Sequence, residues 1–134
     1  MDLYAQNIID HYRNPRNNGT IARPTVSHRE ANYSCGDIIE VDMVIKKNAL
    51  KAIKFRGEGC AISQAAISIL SEHAMGKQLK YVLSLGAKNI KKILGVDFSK
   101  RREKCALLGL LTLQNAILKK KKNPSRQFSD LNGE

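Results

Sequence analysis

Cys35, Cys60 and Cys105 are the residues of this chain best suited to chemistry, and each has a distinctive setting. Cys35 stands in Cys35-Gly36-Asp37, Cys60 in Gly57-Glu58-Gly59-Cys60-Ala61-Ile62-Ser63, and Cys105 in Lys104-Cys105-Ala106-Leu107-Leu108. No two are spaced as CxxC, so only the fold can bring them together. Asp37 would then add a fourth ligand. Three thiolates and one carboxylate suit a tetrahedral metal site or one edge of an iron–sulfur cluster. The competing reading is that each cysteine is a small buried apolar side chain.

The elements that must position these residues are legible in the hydrophobic period. Residues 2–12 read as a helix, closed by the turn chemistry of Asn14-Pro15-Arg16-Asn17-Asn18-Gly19. Residues 22–34 read as extended. Ile39, Val41, Met43 and Ile45 alternate with polar neighbours over 38–45, and Lys47-Asn48 turns the chain into a returning strand over 50–56. The expected sheet is therefore three-stranded and antiparallel. After Gly59 the period becomes helical through Ile62, Ala65, Ala66, Ile69, Leu70 and His73, and Gly76 ends it. Short helices are expected near 78–84 and 87–94, then Asp97 or Ser99 opening a turn into a last helix over 103–120. That helix is apolar on nearly every side, so it should run through the core. The fold class is α+β, a single domain over 1–122 with helices on one face of the sheet and a flexible tail over 123–134.

This layout puts every cysteine at an element boundary. Cys35 enters the second strand, Cys60 opens a helix, and Cys105 lies in the first turn of the last helix. Helix N-termini favour thiolates, and Arg101, Arg102 and Lys104 add positive charge near Cys105, so ionised sulfurs are expected.

The whole chain sets limits on function. Its 134 residues suit one domain with a real core, and a 43% hydrophobic content argues against disorder. No stretch reaches the roughly 20 apolar residues of a membrane span. The start, Met1-Asp2-Leu3-Tyr4, lacks the features of a signal peptide, so a cytoplasmic location with reduced thiols is expected. An odd cysteine count excludes a complete disulfide framework. The net charge of +11 is concentrated in residues 77–134, which hold fourteen Lys/Arg against four Asp/Glu. Such a field suits an acidic partner or nucleic acid. With aromatic content of 5% and no recognised nucleic-acid motif, a solvated helix end at Lys119–Lys122 is the better reading of the charge. His11, His28 and His73 read as structural, and Tyr4, Ile8 and Tyr12 could line one face of the first helix. No Ser-His-Asp set, phosphate loop or paired-carboxylate site is evident, which disfavours conventional catalytic turnover.

Four motifs in order make the chain resemble the IscU/NifU-type family of iron–sulfur cluster assembly scaffolds over about residues 2–120. They are Asp10-His11-Tyr12-Arg13-Asn14-Pro15-Arg16-Asn17 with Gly19, Cys35-Gly36-Asp37, Gly57-Glu58-Gly59-Cys60-Ala61-Ile62-Ser63 and Cys105-Ala106-Leu107-Leu108. The resemblance implies a three-stranded antiparallel sheet with helices on one face and cluster ligands Cys35, Asp37, Cys60 and Cys105. It also implies a cysteine desulfurase of the IscS, SufS or NifS type that supplies sulfur as persulfide, and apo iron–sulfur proteins as acceptors. A transient [2Fe-2S] cluster is the implied cargo, with Cys105 or Cys35 as candidate persulfide acceptor.

Lys104 stands where the scaffold proper usually has His, as in the SufU-type branch, whose members bind zinc and accept sulfur from a SufS-type desulfurase. Yet the 45 positions from Cys60 to Cys105 are too few for that branch's insertion. The family's Leu-Pro-Pro-Val-Lys segment is replaced by Gly95-Val96-Asp97-Phe98-Ser99-Lys100, so a dedicated Hsp70-type chaperone is not an expected partner. Tyr33 replaces the usual Pro and should loosen the Cys35 turn. Two functions follow: a scaffold that is not an enzyme, or a zinc-dependent sulfur relay on the same four residues.

Overall fold

Ile39, Val41 and Met43 alternate along one strand and are fully buried, facing Phe55 and Ile53 of the next strand, where Val41 pairs Phe55 and Met43 pairs Ile53. In the computed structural model, which describes residues 3–132, these residues form the floor of the core. The sheet is three-stranded and antiparallel, in the order β1 (Val26–Asn32), β2 (Asp37–Lys46), β3 (Ala49–Glu58). Lys47 and Asn48 both take positive φ, the backbone of a tight two-residue hairpin between β2 and β3. The β1–β2 connection is the four-residue turn 33–36 that carries Cys35, closed by the Asn32–Asp37 pair.

The helices cover one face of this sheet. They are α1 (Leu3–Arg13), α2 (Ala61–Ala74), α3 (Leu79–Ser84), α4 (Ala87–Leu94), α5 (Glu103–Lys120) and α6 (Phe128–Leu131). Every residue of α5 from Cys105 to Leu118 is buried, because the helix lies across β1 and β2 with α2 at its side. At the α2 contact a Cβ on Gly109 would stand 3.0 Å from Ile67 Cβ, so glycine sets how closely the two helices approach. Ser99 precedes a 3-10 turn, Lys100–Arg102, that leads into α5, and its carbonyl accepts the Arg102 N–H.

The expected tail behaves differently. The described residues after Asn123 fold back over α5 instead of fraying. Arg126 donates to Leu83 O and Gln114 Oε1, Asn115 bonds both the N–H and the C=O of Arg126, and Leu131 is buried. The reason is that α5 buries Gln114 and Asn115, whose amides need partners, and a strap of polar backbone supplies them. Gln114 also bonds Val82 O and Leu85 O, which ties α3 to the same helix.

The three histidines have structural partners. His11 is buried, with Nδ1 2.7 Å from Ser68 Oγ, so it pins the end of α1 to α2. Ser68 Oγ also accepts the Arg16 N–H, fixing the turn after α1. His28 pairs Glu30 at 2.7 Å, and His73 is half-buried at the surface beside Tyr81 rather than in the core. On α1, Ile8 packs towards the core whereas Ile9 and Tyr12 are exposed; the Tyr4 side chain lies outside those described.

On the opposite face of the sheet Asp42 is buried beneath the segment that precedes β1. Burial works to raise its pKa, but bonds from Arg56, Ser27 and the Ile21 N–H hold the carboxyl below its ordinary value. A lowered folded-state pKa means this stabilisation is present above the unfolded value of about 3.9 and is lost as pH falls through the folded value. Asp42→Asn should cost about 2 kcal/mol at pH 7, read by urea unfolding. The gap from the parent should close in acid; a gap independent of pH would contradict the assignment.

Candidate metal centre

Cys35, Asp37 and Cys105 meet at the end of the sheet that carries the β1–β2 turn. One ligand atom from each lies within 4.8 Å of the others. Three separate backbone features make this possible. The turn 33–36 hangs on Asn32 O, which accepts the N–H groups of both Cys35 and Gly36. Gly36 takes φ +73, which lets the turn reverse and hand the chain directly to Asp37 at the start of β2. Cys105 is brought in by the first turn of α5, which crosses β1 beside Asn32.

Asp37 is the centre of the arrangement. Its side chain is fully buried, and Oδ1 accepts the Cys60 N–H at 2.8 Å, at the point where β3 passes into α2. Its other oxygen, Oδ2, is buried with no hydrogen-bond partner among the described residues. A buried carboxylate oxygen left unpaired is costly, and an ion is one partner that removes the cost. Gly59 permits the contact: a Cβ there would stand 2.2 Å from Asp37 Oδ1, and φ is +148.

The three thiols differ in access. Cys35 is exposed, Cys60 intermediate and Cys105 buried. Cys105 Sγ donates to Cys35 Sγ at 3.7 Å and accepts from Asn32 Nδ2 at 4.0 Å. Burial above all, then the nearby Asp37, Cys60 and Cys35 side chains, pushes the Cys105 thiol far above its ordinary pKa. The expectation of a thiolate at Cys105 is therefore corrected for the metal-free protein: the sulfur sits under the sheet, out of reach of the solvent-facing cations. Lys104 points outward, its Nζ 5.7 Å from the centre of the Phe128 ring. Cys60 is not among the three mutually close ligand atoms. It enters through its backbone bond to Asp37 and its proximity to Cys105.

Two participants escape sequence reasoning. Asn32 closes the Cys35 turn with its carbonyl and reaches Cys105 with its amide; no local pattern marks it. Gly59 is visible as a glycine before a cysteine, but its role against Asp37 depends on a strand pairing. A groove of about 760 Å³ runs alongside, lined by Asn32, Tyr33, Lys104, Leu107, Leu111 and Phe128, and no thiol lines it. Tyr33 projects almost fully into solvent, 93% exposed, so it adds nothing to the packing of the turn. The run Lys119–Lys122 lies at the other end of α5, about 20 Å from Cys105 along the helix. It is remote from the thiols.

The donor set of two thiols and a carboxylate with a free buried oxygen, and a third thiol beside it, fits both zinc and an iron–sulfur cluster.

Residues 3–127 match the family model described as the NifU-like N-terminal domain. The chain is 32% identical to the zinc-dependent sulfurtransferase SufU of Bacillus subtilis, over 87% of this chain and 90% of that protein. It is 31% identical to the iron-sulfur cluster assembly scaffold protein IscU 1 of Archaeoglobus fulgidus, over 87% and 75%. The fold is similar to a crystal structure from Fervidobacterium islandicum described as a putative scaffold protein for the SUF system, with TM-score 0.70, 27% identity, and coverage of 84% and 94%.

Replacing Gly59 with Ala should push Asp37 off the Cys60 N–H and strain the backbone, at about 1–3 kcal/mol. Zinc affinity, measured by competition with a chromophoric chelator, should fall at least about tenfold. Gly36→Ala has open space at its Cβ and should strain the turn while keeping more of that affinity. Equal affinity in Gly59→Ala and the parent would contradict the role given to Asp37.

Proposed function

The chain belongs to the NifU-like N-terminal domain family, and we propose that it is an iron–sulfur cluster assembly scaffold. Sulfur comes from a cysteine desulfurase, a [2Fe-2S] cluster is assembled as cargo on Cys35, Asp37, Cys60 and Cys105, and the cluster passes to apo iron–sulfur proteins. The observation that carries this reading is the buried, unpartnered Oδ2 of Asp37 beside Cys35 and Cys105.

Each residue has a distinct task. Cys35, exposed on its turn, is the thiol a partner can reach and so the first sulfur acceptor. Cys105, fully buried, favours retention of cargo over exchange with solvent thiols. Asp37 offers a hard oxygen that holds such cargo less firmly than a thiolate would, which suits delivery. The Cys60 N–H fixes the direction of that carboxylate, and Asn32 steadies Cys105.

A second reading is a zinc-dependent sulfur relay without cluster assembly. It is favoured by the exposure of Cys35 against the burial of the other ligands, and by Lys104, which cannot act as a His ligand would. Zinc, when bound by Cys35, Asp37, Cys60 and Cys105, would keep their sulfurs ionised and fixed in a closed tetrahedral set. Cys35 remains the outward-facing sulfur in either reading. Among the described residues no helix is long and apolar enough to cross a membrane.

Anaerobic incubation with a cysteine desulfurase, cysteine, a reductant and ferrous iron tests the proposal by visible absorption and acid-labile sulfide. A bound cluster that moves to an apo-ferredoxin is the expected result. No cluster, with tightly held zinc and faster desulfurase turnover, would replace the scaffold with the relay. Asp37→Ala should still acquire a cluster and release it at least about tenfold more slowly. Unchanged transfer would remove Asp37 from delivery.

A further inference from the structure

The 3.7 Å separation of Cys35 Sγ and Cys105 Sγ has a use beyond holding an ion. We propose that Cys105 is the resolving thiol for a persulfide formed on Cys35, so that sulfide is released inside the site without an external electron donor for that step. The inference rests on the reading of Cys35 as first sulfur acceptor.

The two sulfurs differ in the way such a pair requires. Cys35 is exposed, so an incoming sulfane sulfur reaches it from outside. Cys105 is 0% exposed, so a macromolecular donor cannot load it directly and its thiol is kept for internal attack. Cys105 also directs its S–H at Cys35 Sγ, which places the reacting atoms side by side. Asn32 Nδ2, itself on a buried residue, donates to Cys105 Sγ and holds that sulfur in place. Closing the gap to the roughly 2.0 Å of an S–S bond needs a shift of the turn 33–36. That turn has room to make it: Tyr33, Ser34, Cys35 and Gly36 are all exposed, and a Cβ on Gly36 would meet nothing within 4 Å.

The step balances. Cys105 gives up its proton towards the persulfide as its sulfur attacks Sγ of the Cys35 persulfide, the Sγ–Sγ bond forms, and the bond from Cys35 Sγ to the outer sulfur breaks. The outer sulfur takes the bonding pair and leaves as hydrosulfide with its own hydrogen; the Cys105 proton goes to it, giving hydrogen sulfide. The sulfane sulfur is reduced by two electrons, and the two cysteine sulfurs are oxidised to a disulfide. A dithiol then reopens the disulfide for the next cycle. Attack on the outer sulfur instead would move the persulfide to Cys105 and release no sulfide, so the two routes give different products.

The test uses the full chain, freed of metal by a chelator and held under anaerobic conditions, with limiting cysteine persulfide and no other reductant. Sulfide is measured in the filtrate, and the protein is alkylated and mapped by mass spectrometry. The proposal expects about one sulfide per persulfide transferred and a peptide pair joining Cys35 to Cys105. Cys105→Ser should keep a stable persulfide on Cys35 and release sulfide at least about tenfold more slowly. A persulfide that persists on Cys35 of the parent, or that migrates to Cys105, overturns it. The parent result decides the matter even where Cys105→Ser folds poorly. If the parent assembles clusters with added dithiol yet forms no disulfide, only this inference fails. If the disulfide and sulfide form but no cluster ever does, the scaffold reading fails and the thiol pair stands.

Discussion

The hydrogen bond from the Cys60 N–H to Asp37 Oδ1 is the contact on which the rest of the site depends. It joins the start of β2 to the junction of β3 and α2, two points that the sheet already places side by side through the pairing of Ile38 with Glu58. The bond uses one carboxylate oxygen and one of the N–H groups a helix start leaves unpaired. Its geometric consequence is that the second oxygen has a fixed direction. A free aspartate at a turn would rotate to water; this one is fully buried and has no such option. The fold therefore maintains a buried carboxylate oxygen that has no hydrogen-bond partner among the described residues.

The packing supports that arrangement from below. α5 is enclosed from Cys105 to Leu118, and its N-terminal end delivers Cys105 beneath the turn. The closeness of α5 to α2 at Gly109 and Ile67 fixes the height of both helices over the sheet, and so the position of two of the three thiols relative to each other. The C-terminal strap satisfies the buried amides of Gln114 and Asn115. The thiols form a gradient from exposed Cys35 through Cys60 to buried Cys105.

Much of this was readable in the chain. The alternation of Ile39, Val41 and Met43, the Lys47-Asn48 turn and the uninterrupted apolar run of α5 are local signals, and they survive because tertiary packing reinforces them. The four motifs and their order gave the family, which the match over residues 3–127 bears out. Other features depend on partners distant in sequence. The burial of Cys105 reverses the expectation drawn from its helix position and its neighbouring cations, because desolvation disfavours the charged thiolate by more than the helix start and the outward-facing cations favour it. Arg126 as an anchor, Asn32 as a neighbour of Cys105 and His11 as a tie to Ser68 each link positions more than ten residues apart, with no periodic signal between them. The tail looked free because its sequence is polar, yet polar backbone was what α5 needed.

A single spectrum decides whether Asp37 supplies an oxygen and all three cysteines supply sulfur to the same ion. Zinc K-edge X-ray absorption on the zinc-loaded chain counts those ligands directly. Three sulfurs at about 2.3 Å and one oxygen at about 2.0 Å are the expected result. Imidazole scattering from a histidine, or only two sulfurs with Cys60 left out, would contradict it.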